Sequence, residues 1–409
     1  MNRPFRYAMF AALYFVRGVG LAYFRTFQKP YLARYGIDAD EIGLLTALLL
    51  LPFILKIFIG MLSARVNLYG MGHRKPYMVG GLLLAALGFG AGALVQPDTA
   101  LTLYVIAMFC GSFAVTLFDS TTDGYAVDTT PRAEQGRVQG IMVGGRAVGF
   151  VLLSFGFGQL IGAFGSYRVV FIVMALVMLL PLVWVLRVEE PAARDESQQF
   201  DWAAFRELGR PRFMVFAVYA VIYSAVSFGI DGLPALFMDQ VFGASPQMLG
   251  SFGVMRGLGA IAGALAGGLL LDRGGRRLST FAAIGLIGIV GALFAAAPGA
   301  GAVVAWGVVW GGAWGFQETV FIALAMDLAD RRIAASMFAL MMAFSNLGAA
   351  FGEAVGTGLT DNIPFNLVFV VLAAGALLTV PVVIAMFRAA PELAQPALVE
   401  EDTLTAAAK

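Results

Sequence analysis

Apolar residues in this chain run in long blocks rather than alternating with polar ones. Blocks of about 20 residues, the length that crosses a bilayer core, fall near 6–27, 41–63, 76–96, 99–125, 138–163 and 167–187. A second set follows near 213–237, 247–271, 278–297, 300–326, 334–359 and 364–388. The pattern predicts an all-α polytopic membrane protein with twelve helices arranged as six plus six. It divides the chain into a first half over 1–187, a charged linker over 188–211, a second half over 212–388 and a polar, Ala-rich tail over 389–409. The tail is expected to be disordered and cytoplasmic. Met1-Asn2-Arg3-Pro4 leads directly into the first block with no small-residue cleavage site, so that block reads as a retained helix rather than a signal peptide.

Composition strengthens this picture. With 60% hydrophobic and 13% charged residues, the chain has more apolar surface than a soluble fold of its size can hide, so lipid must be its solvent. Cys110 is the one cysteine and excludes an internal disulfide. His73 is the one histidine and sits in a polar loop. No metal cluster and no nucleophile–base set is visible, so neither a cofactor nor enzymatic chemistry is expected. A formal net charge of +1 gives no sign of a nucleic-acid partner. Basic residues gather at one set of block ends (Arg3, Arg6, Arg65, Arg74, Arg273, Arg388), against Lys29, Arg34 and Arg168 at the other. The positive-inside rule then places both termini in the cytoplasm.

The two halves share a loop. Gly268-Leu269-Leu270-Leu271-Asp272-Arg273-Gly274-Gly275-Arg276-Arg277 occupies the same place in the second half as Gly60-Met61-Leu62-Ser63-Ala64-Arg65 and Gly72-His73-Arg74-Lys75 in the first. Phe118-Asp119-Ser120 through Asp128 likewise overlays Gln317-Glu318-Thr319 through Asp327. A repeat in register with the apolar blocks points to a duplicated transporter.

The twelve blocks and the 268–277 loop resemble the major facilitator superfamily across nearly the whole chain. Leu51-Pro52-Phe53-Ile54-Leu55-Lys56, Gly70 through Tyr77, Asp123 through Asp128 and Glu134 through Gly140 resemble a branch of it. That branch contains bacterial muropeptide permeases, acetyl-CoA transporters and folate–biopterin transporters. The resemblance implies a bacterial inner-membrane protein that works by alternating access around one site between the halves, for which a monomer suffices. It also implies that Asp272 caps a helix of the other half and, with Arg273, Arg276 and Arg277, latches the cytoplasmic side. Ala64 stands where the first-half copy would carry the aspartate. Asp128 and Asp327, at helix ends beside arginines, read as gating or loop-bracing residues.

Small residues recur at four-residue spacing: Gly140 and Gly144, Gly145 and Gly149, then Gly259, Gly263 and Gly267, and Gly348, Gly352 and Gly356. Such stripes let helices approach closely. In the resembled fold the fifth and eighth helices face each other across the halves, as do the second and eleventh. A rocking surface and static packing therefore both stay open.

Charges inside apolar blocks are costly unless paired or hydrated, and they default to functional candidates. Arg17, Lys56, Arg146 and Arg256 are the candidate ligands for an anionic substrate group. Asp119, Asp123 and Glu318 are the candidate proton carriers, because two carboxylates four residues apart share a helix face and cannot both ionise cheaply. Arg146 is the natural partner of the two aspartates; a permanent Asp–Arg bridge is the structural alternative. Pairing of Arg17, Lys56 and Arg256 with Asp119, Asp231 or Glu353 competes with substrate binding. Arg25 is expected to reach the headgroups, and Lys29 and Arg34 to lie in a solvated loop. The resulting expectation is proton-coupled import of a small anionic or zwitterionic organic solute. A drug–proton antiporter competes, although Gly149-Phe150-Val151 stands where such antiporters carry a Gly-Pro pair. A receptor-like protein or a membrane enzyme is the alternative of another class.

Overall fold

The computed structural model describes residues 2–70, 72–131, 134–188, 190, 209–329 and 334–394, and among these every regular element is helical. Nine helical stretches are long and apolar enough to cross a membrane. They include α1 (Arg3–Ala33), α2 (Ala39–Ser63), α4 (Pro97–Thr129), α5 (Gln135–Phe164), α6 (Arg168–Val185), α7 (Pro211–Phe242), α11 (Met337–Asp361) and α12 (Phe365–Ala389). The ninth, Pro246–Ala296, is two helices, α8 (246–274) and α9 (276–296), because Gly275 takes φ 75° and breaks the ladder. That backbone favours glycine, which has no Cβ to clash there. Two further helices, α3 (Lys75–Gly92) and α10 (Ala300–Leu328), lie outside the nine. Helix α3 is short and opens on a lysine. In α10, Trp306, Trp310, Trp314, Gln317 and Glu318 dilute the aliphatic residues.

Local chemistry sets the helix starts and bends. Asn2 caps α1 by accepting from Phe5 N at 3.0 Å, with Pro4 in the first turn. A π turn over Tyr23–Phe27 follows in the same helix. Pro52 lies inside α2, where it removes a ladder donor, and the helix breaks at Leu55 just before Lys56. At the start of the polar tail, Pro391–Ala394 forms a 3-10 turn whose Leu393 is buried; the rest of the tail lies outside the described residues. Of the linker 188–211, only 188, 190 and 209–211 are described.

Helix α1 packs along α5 and α7 along α11, while α3 packs on α4 and the α8–α9 pair on α10. The first six helices meet the last six mainly through α2–α11 and α5–α8. The glycine stripes, however, lie in other seams. A Cβ on Gly263 would strike the carbonyl of Gly312, one on Gly352 that of Ala225, and one on Gly149 that of Phe15. These stripes therefore weld α8 to α10, α7 to α11 and α1 to α5, as static packing inside each group of six. Gly140 and Gly144 have open space around them. Between the groups, close approach uses Gly158 against Pro246 and Gly250, and Gly43 against Ala354. Gly263→Leu should thus lower the unfolding temperature of the purified protein, overpacking costing about 1–3 kcal/mol, whereas Gly144→Leu should leave it unchanged. Equal stability of the two variants would show that the α8–α10 seam has slack.

Candidate functional site

Inside the first group, the break at Leu55 presents Lys56 to α4. Its Nζ donates to Asp119 Oδ2 at 2.7 Å and to Asp123 Oδ2 at 2.6 Å. Arg17 Nη1 lies 2.8 Å from Asp119 Oδ1, an ion contact rather than an aligned hydrogen bond, since that oxygen has no hydrogen-bond partner. Tyr14 OH donates to Asp123. Two cations thus face two carboxylates, and the cluster is neutral. Asp119 is buried, while Asp123 remains partly exposed. The expected Arg146 partnership with these aspartates is not formed, because α1 and α2 reach them with Arg17 and Lys56.

The second group repeats this plan with one change. Tyr223 OH of α7 donates to Glu318 Oε2 of α10 at 2.9 Å, as Tyr14 of α1 does to an acid of α4. No cation accompanies it: among the described residues Glu318 has no ion pair. Arg146 on α5, half-buried, also has none, yet it lies near enough to Arg17, Asp119 and Glu318 to sense their charges. Trp314 Nε1 and Tyr219 OH are buried nearby on the same helices as Glu318 and Tyr223, without hydrogen-bond partners. Arg256 is fully engaged, donating from Nε and Nη2 to both oxygens of Asp231 at 2.7 Å each. Trp310 Nε1 adds a third donor to Asp231 at 2.7 Å. The Arg256 guanidinium also sits 4.5 Å over the Trp314 ring.

The chain reverses direction at each loop, so the two ends of the bundle differ. At the end away from the termini, buried Glu353 of α11 receives both Arg25 and Lys29 of α1, with Lys29 at 2.5 Å and also 2.7 Å from Thr357. Arg34 pairs with Asp239 at 2.8 Å. Asp361 accepts from the backbone N–H of Ala39 and Asp40 at 3.1 and 2.8 Å, capping α2. All these bonds join the first six helices to the last six. Arg25 therefore does not reach the headgroups, and Lys29 is not in a solvated loop: a buried carboxylate on the facing helix draws both inward.

At the end carrying the termini, the ion pairs of described residues stay within one group. Arg3 and Arg6 meet Glu134, Arg74 meets Asp128 at 3.2 Å, and Arg276 meets Asp327 at 2.7 Å. Asp128 and Asp327 thus each hold an arginine of the repeated loop in their own half. Glu190 accepts from the N–H of Arg74 and Lys75 and caps α3. Asp272, Arg273 and Arg277 are exposed and make no ion pair among the described residues. The cross-half latch they are implied to form is not closed in this conformation.

Sequence reasoning missed the contacts of Arg25 and Lys29 with Glu353 and the burial of Gln28 between them. Their spacing of three and four residues puts them on one helical face, and that polar face in an apolar block was the available signal. It also undervalued Tyr14 and Tyr223, whose aromatic bodies read as packing.

The bundle of helices in two groups, with ion pairs buried within and between them, is that of a polytopic membrane protein, and its sequence places it in a known family. The sequence pattern of the Major Facilitator Superfamily matches residues 10–233 and 232–408, and the chain belongs to that family. It is a multi-pass membrane protein. A folate–biopterin transporter of Synechocystis sp. is 29% identical over 194 residues, 46% of this chain and 38% of that one, so the match spans well under half of that relative. An anhydromuropeptide permease of Escherichia coli K12 is 25% identical over 368 residues, 85% of this chain and 72% of its own. Among solved structures, the nucleoside transporter NupG aligns with a TM-score of 0.72 at 16% identity, covering 95% of this chain and all of that one. A bacterial homolog of the human lysosomal transporter Spinster, inward-facing and unoccupied, aligns at 0.71 with 14% identity, covering 96% and 98%. These two likenesses concern the fold alone.

Proposed function

We propose that this protein imports a small anionic or zwitterionic organic solute across the bacterial inner membrane, coupled to protons, by alternating access between two six-helix halves. In this reading α1–α12 are twelve spans, both termini are cytoplasmic, a monomer is the working unit and no catalytic chemistry is involved. The observation that carries it is the pair of opposite charges that have no ion-pair partner among the described residues, Arg146 on α5 and Glu318 on α10. Charge within a membrane span is tolerated unpaired only where something else meets it, and a transported ion or solute does so. Arg146 is then the ligand for a carboxylate or phosphate, and Glu318 the proton carrier. Lys56, Arg17, Asp119, Asp123 and Arg256 form the self-neutralised frame around them. With the termini cytoplasmic, the tied end is the outer gate and the open Asp272 loop belongs to the inward-facing state. Loss of the outer ties would accompany closure of that loop, with Asp272, Arg273, Arg276 and Arg277 as the inner latch.

The test begins with ligand stabilisation of the purified protein by muropeptides, folates and biopterin, nucleotide-like anions and sugars. Hits are then followed as pH-gradient-driven uptake in proteoliposomes. Right-side-out vesicles should accumulate the solute and everted ones should not; the reverse sidedness would mean efflux. Arg146→Gln should raise KM about tenfold or more for an anionic solute, the worth of a hydrogen bond to a charged group, with Arg146→Lys partly restored. An unchanged KM in Arg146→Gln would remove it from the site.

A further inference from the structure

Above the Lys56 cluster, between α1, α2 and α4, lies a small cavity of about 40 Å³ lined by Arg17, Phe24, Arg25, Gln28, Thr46 and Phe53 among others. That is room for more than one water, which needs on the order of 10–15 Å³. Most polar atoms on its wall are already satisfied. Arg25 holds Glu353, Arg17 holds Asp119, Thr46 donates to Ile42 O at 2.8 Å, and Ser112 donates to Leu49 O at 2.5 Å. The exceptions are Arg17 Nε, an idle donor, and Gln28. Gln28 is 1% exposed, and both its Nε2 and its Oε1 are without a hydrogen-bond partner. A buried carboxamide with an idle donor and an idle acceptor is costly to keep empty-handed.

We infer that this cavity is a subsite for an amide or lactam edge of the transported solute, read by the Gln28 carboxamide. The chemistry follows from complementarity. Gln28 offers one donor and one acceptor side by side, and an amide edge offers one acceptor and one donor in return. A carboxylate would satisfy Nε2 but face Oε1 with like charge. The two cations on the wall already have counterions in Asp119 and Glu353, and the carbonyl oxygen of an amide is also an acceptor for the idle Arg17 Nε. Leu21, Leu49, Leu50, Phe24, Phe53 and Val115 supply apolar walls for the rest of the group. Arg17 belongs to both the cavity wall and the neutral cluster below, so a solute held at the central site can extend an arm to Gln28. This inference rests on the transport reading and specifies its cargo as a solute that carries an amide-type group besides its charge.

Three probes of equal heavy-atom count separate the possibilities: acetamide (donor and acceptor), acetone (acceptor alone) and acetate (anion). Saturation-transfer NMR on the full-length detergent-purified protein should give a signal for acetamide well above those of acetone and acetate. In Gln28→Leu the acetamide signal should fall about tenfold, the cost of one well-made hydrogen-bonded contact. Gln28→Glu, which keeps the acceptor and loses the donor, should lose acetamide as well while leaving the protein folded. Acetate outranking acetamide would overturn the inference in favour of an anion subsite. Equal signals for the three probes, no signal in the wild type, or an undiminished acetamide signal in Gln28→Leu would reduce the cavity to a water pocket. Because binding is read without flux, the two readings fail separately. A protein that binds acetamide through Gln28 yet moves no solute sinks only the transport reading, and one that transports but ignores acetamide sinks only this one.

Discussion

Glu353→Gln will open the end of the bundle away from the termini. Glu353 is 1% exposed and holds two cations of the opposite group, Arg25 and Lys29. Removing its charge leaves both cations without their shared counterion, and Asp231 is already engaged twice by Arg256. Breaking a buried pair from one side costs about 3–5 kcal/mol. The outward-open state escapes that cost because the cations then meet water, so the ratio of the two states shifts about a hundredfold or more. By contrast, Arg34 in the Arg34–Asp239 pair is substantially exposed; Asp239→Asn there should shift the ratio little. The measurement is a distance distribution between spin labels at Asp38→Cys and Gln240→Cys, in a Cys110→Ala background that removes the one native thiol. Glu353→Gln should add a longer-distance population that the wild type lacks. Matching distributions in the two proteins would mean that the carboxylate is structural filler and that the gate lies elsewhere.

That gate was poorly legible in the sequence, and the reason is instructive. Arg25 and Lys29 lie where the first apolar block fades into a polar loop, a place in which cations ordinarily seek headgroups or water. What draws them inward is a carboxylate more than 300 residues away, and no local pattern reports that contact. The helices were far more legible, because apolar length is a local property. Even the break between α8 and α9 was anticipated, since the Asp272 loop interrupts the pattern there and Gly275 supplies the backbone to turn. The repeat told more than expected about loop bracing: Arg74–Asp128 and Arg276–Asp327 are the same contact made twice. It told less about the centre. Asp119 and Glu318 occupy matching positions, yet one is held by two cations and the other by a tyrosine, because Arg17 and Lys56 come from first-half helices whose second-half counterparts carry no cation there. The glycine stripes of α8 and α11 and the pair Gly145 and Gly149 marked close approach, whereas Gly140 and Gly144 face open space; the partner helix depends on tertiary arrangement rather than spacing.

Glu318→Gln should abolish pH-gradient-driven accumulation while sparing solute exchange. Protonating Asp119 would strand Arg17 and leave Lys56 to Asp123 alone, two cations facing one carboxylate, which is expensive. Protonating Glu318 strands no cation among the described residues, since its direct partner is the Tyr223 hydroxyl. Glutamine mimics the protonated acid and still offers a carbonyl oxygen to Tyr223, so the bundle should fold. With the carrier permanently neutral, the protein can still cycle with solute bound on both sides, and counterflow should continue near the wild-type rate. Accumulation against a gradient should drop to the equilibration level, because the proton no longer biases the states. Asp119→Asn should instead lower the unfolding temperature and cut exchange and accumulation together, since it breaks a frame rather than a coupling step. If proton-driven accumulation survives intact in both variants, neither Asp119 nor Glu318 carries the proton and the coupling proposed through Glu318 fails.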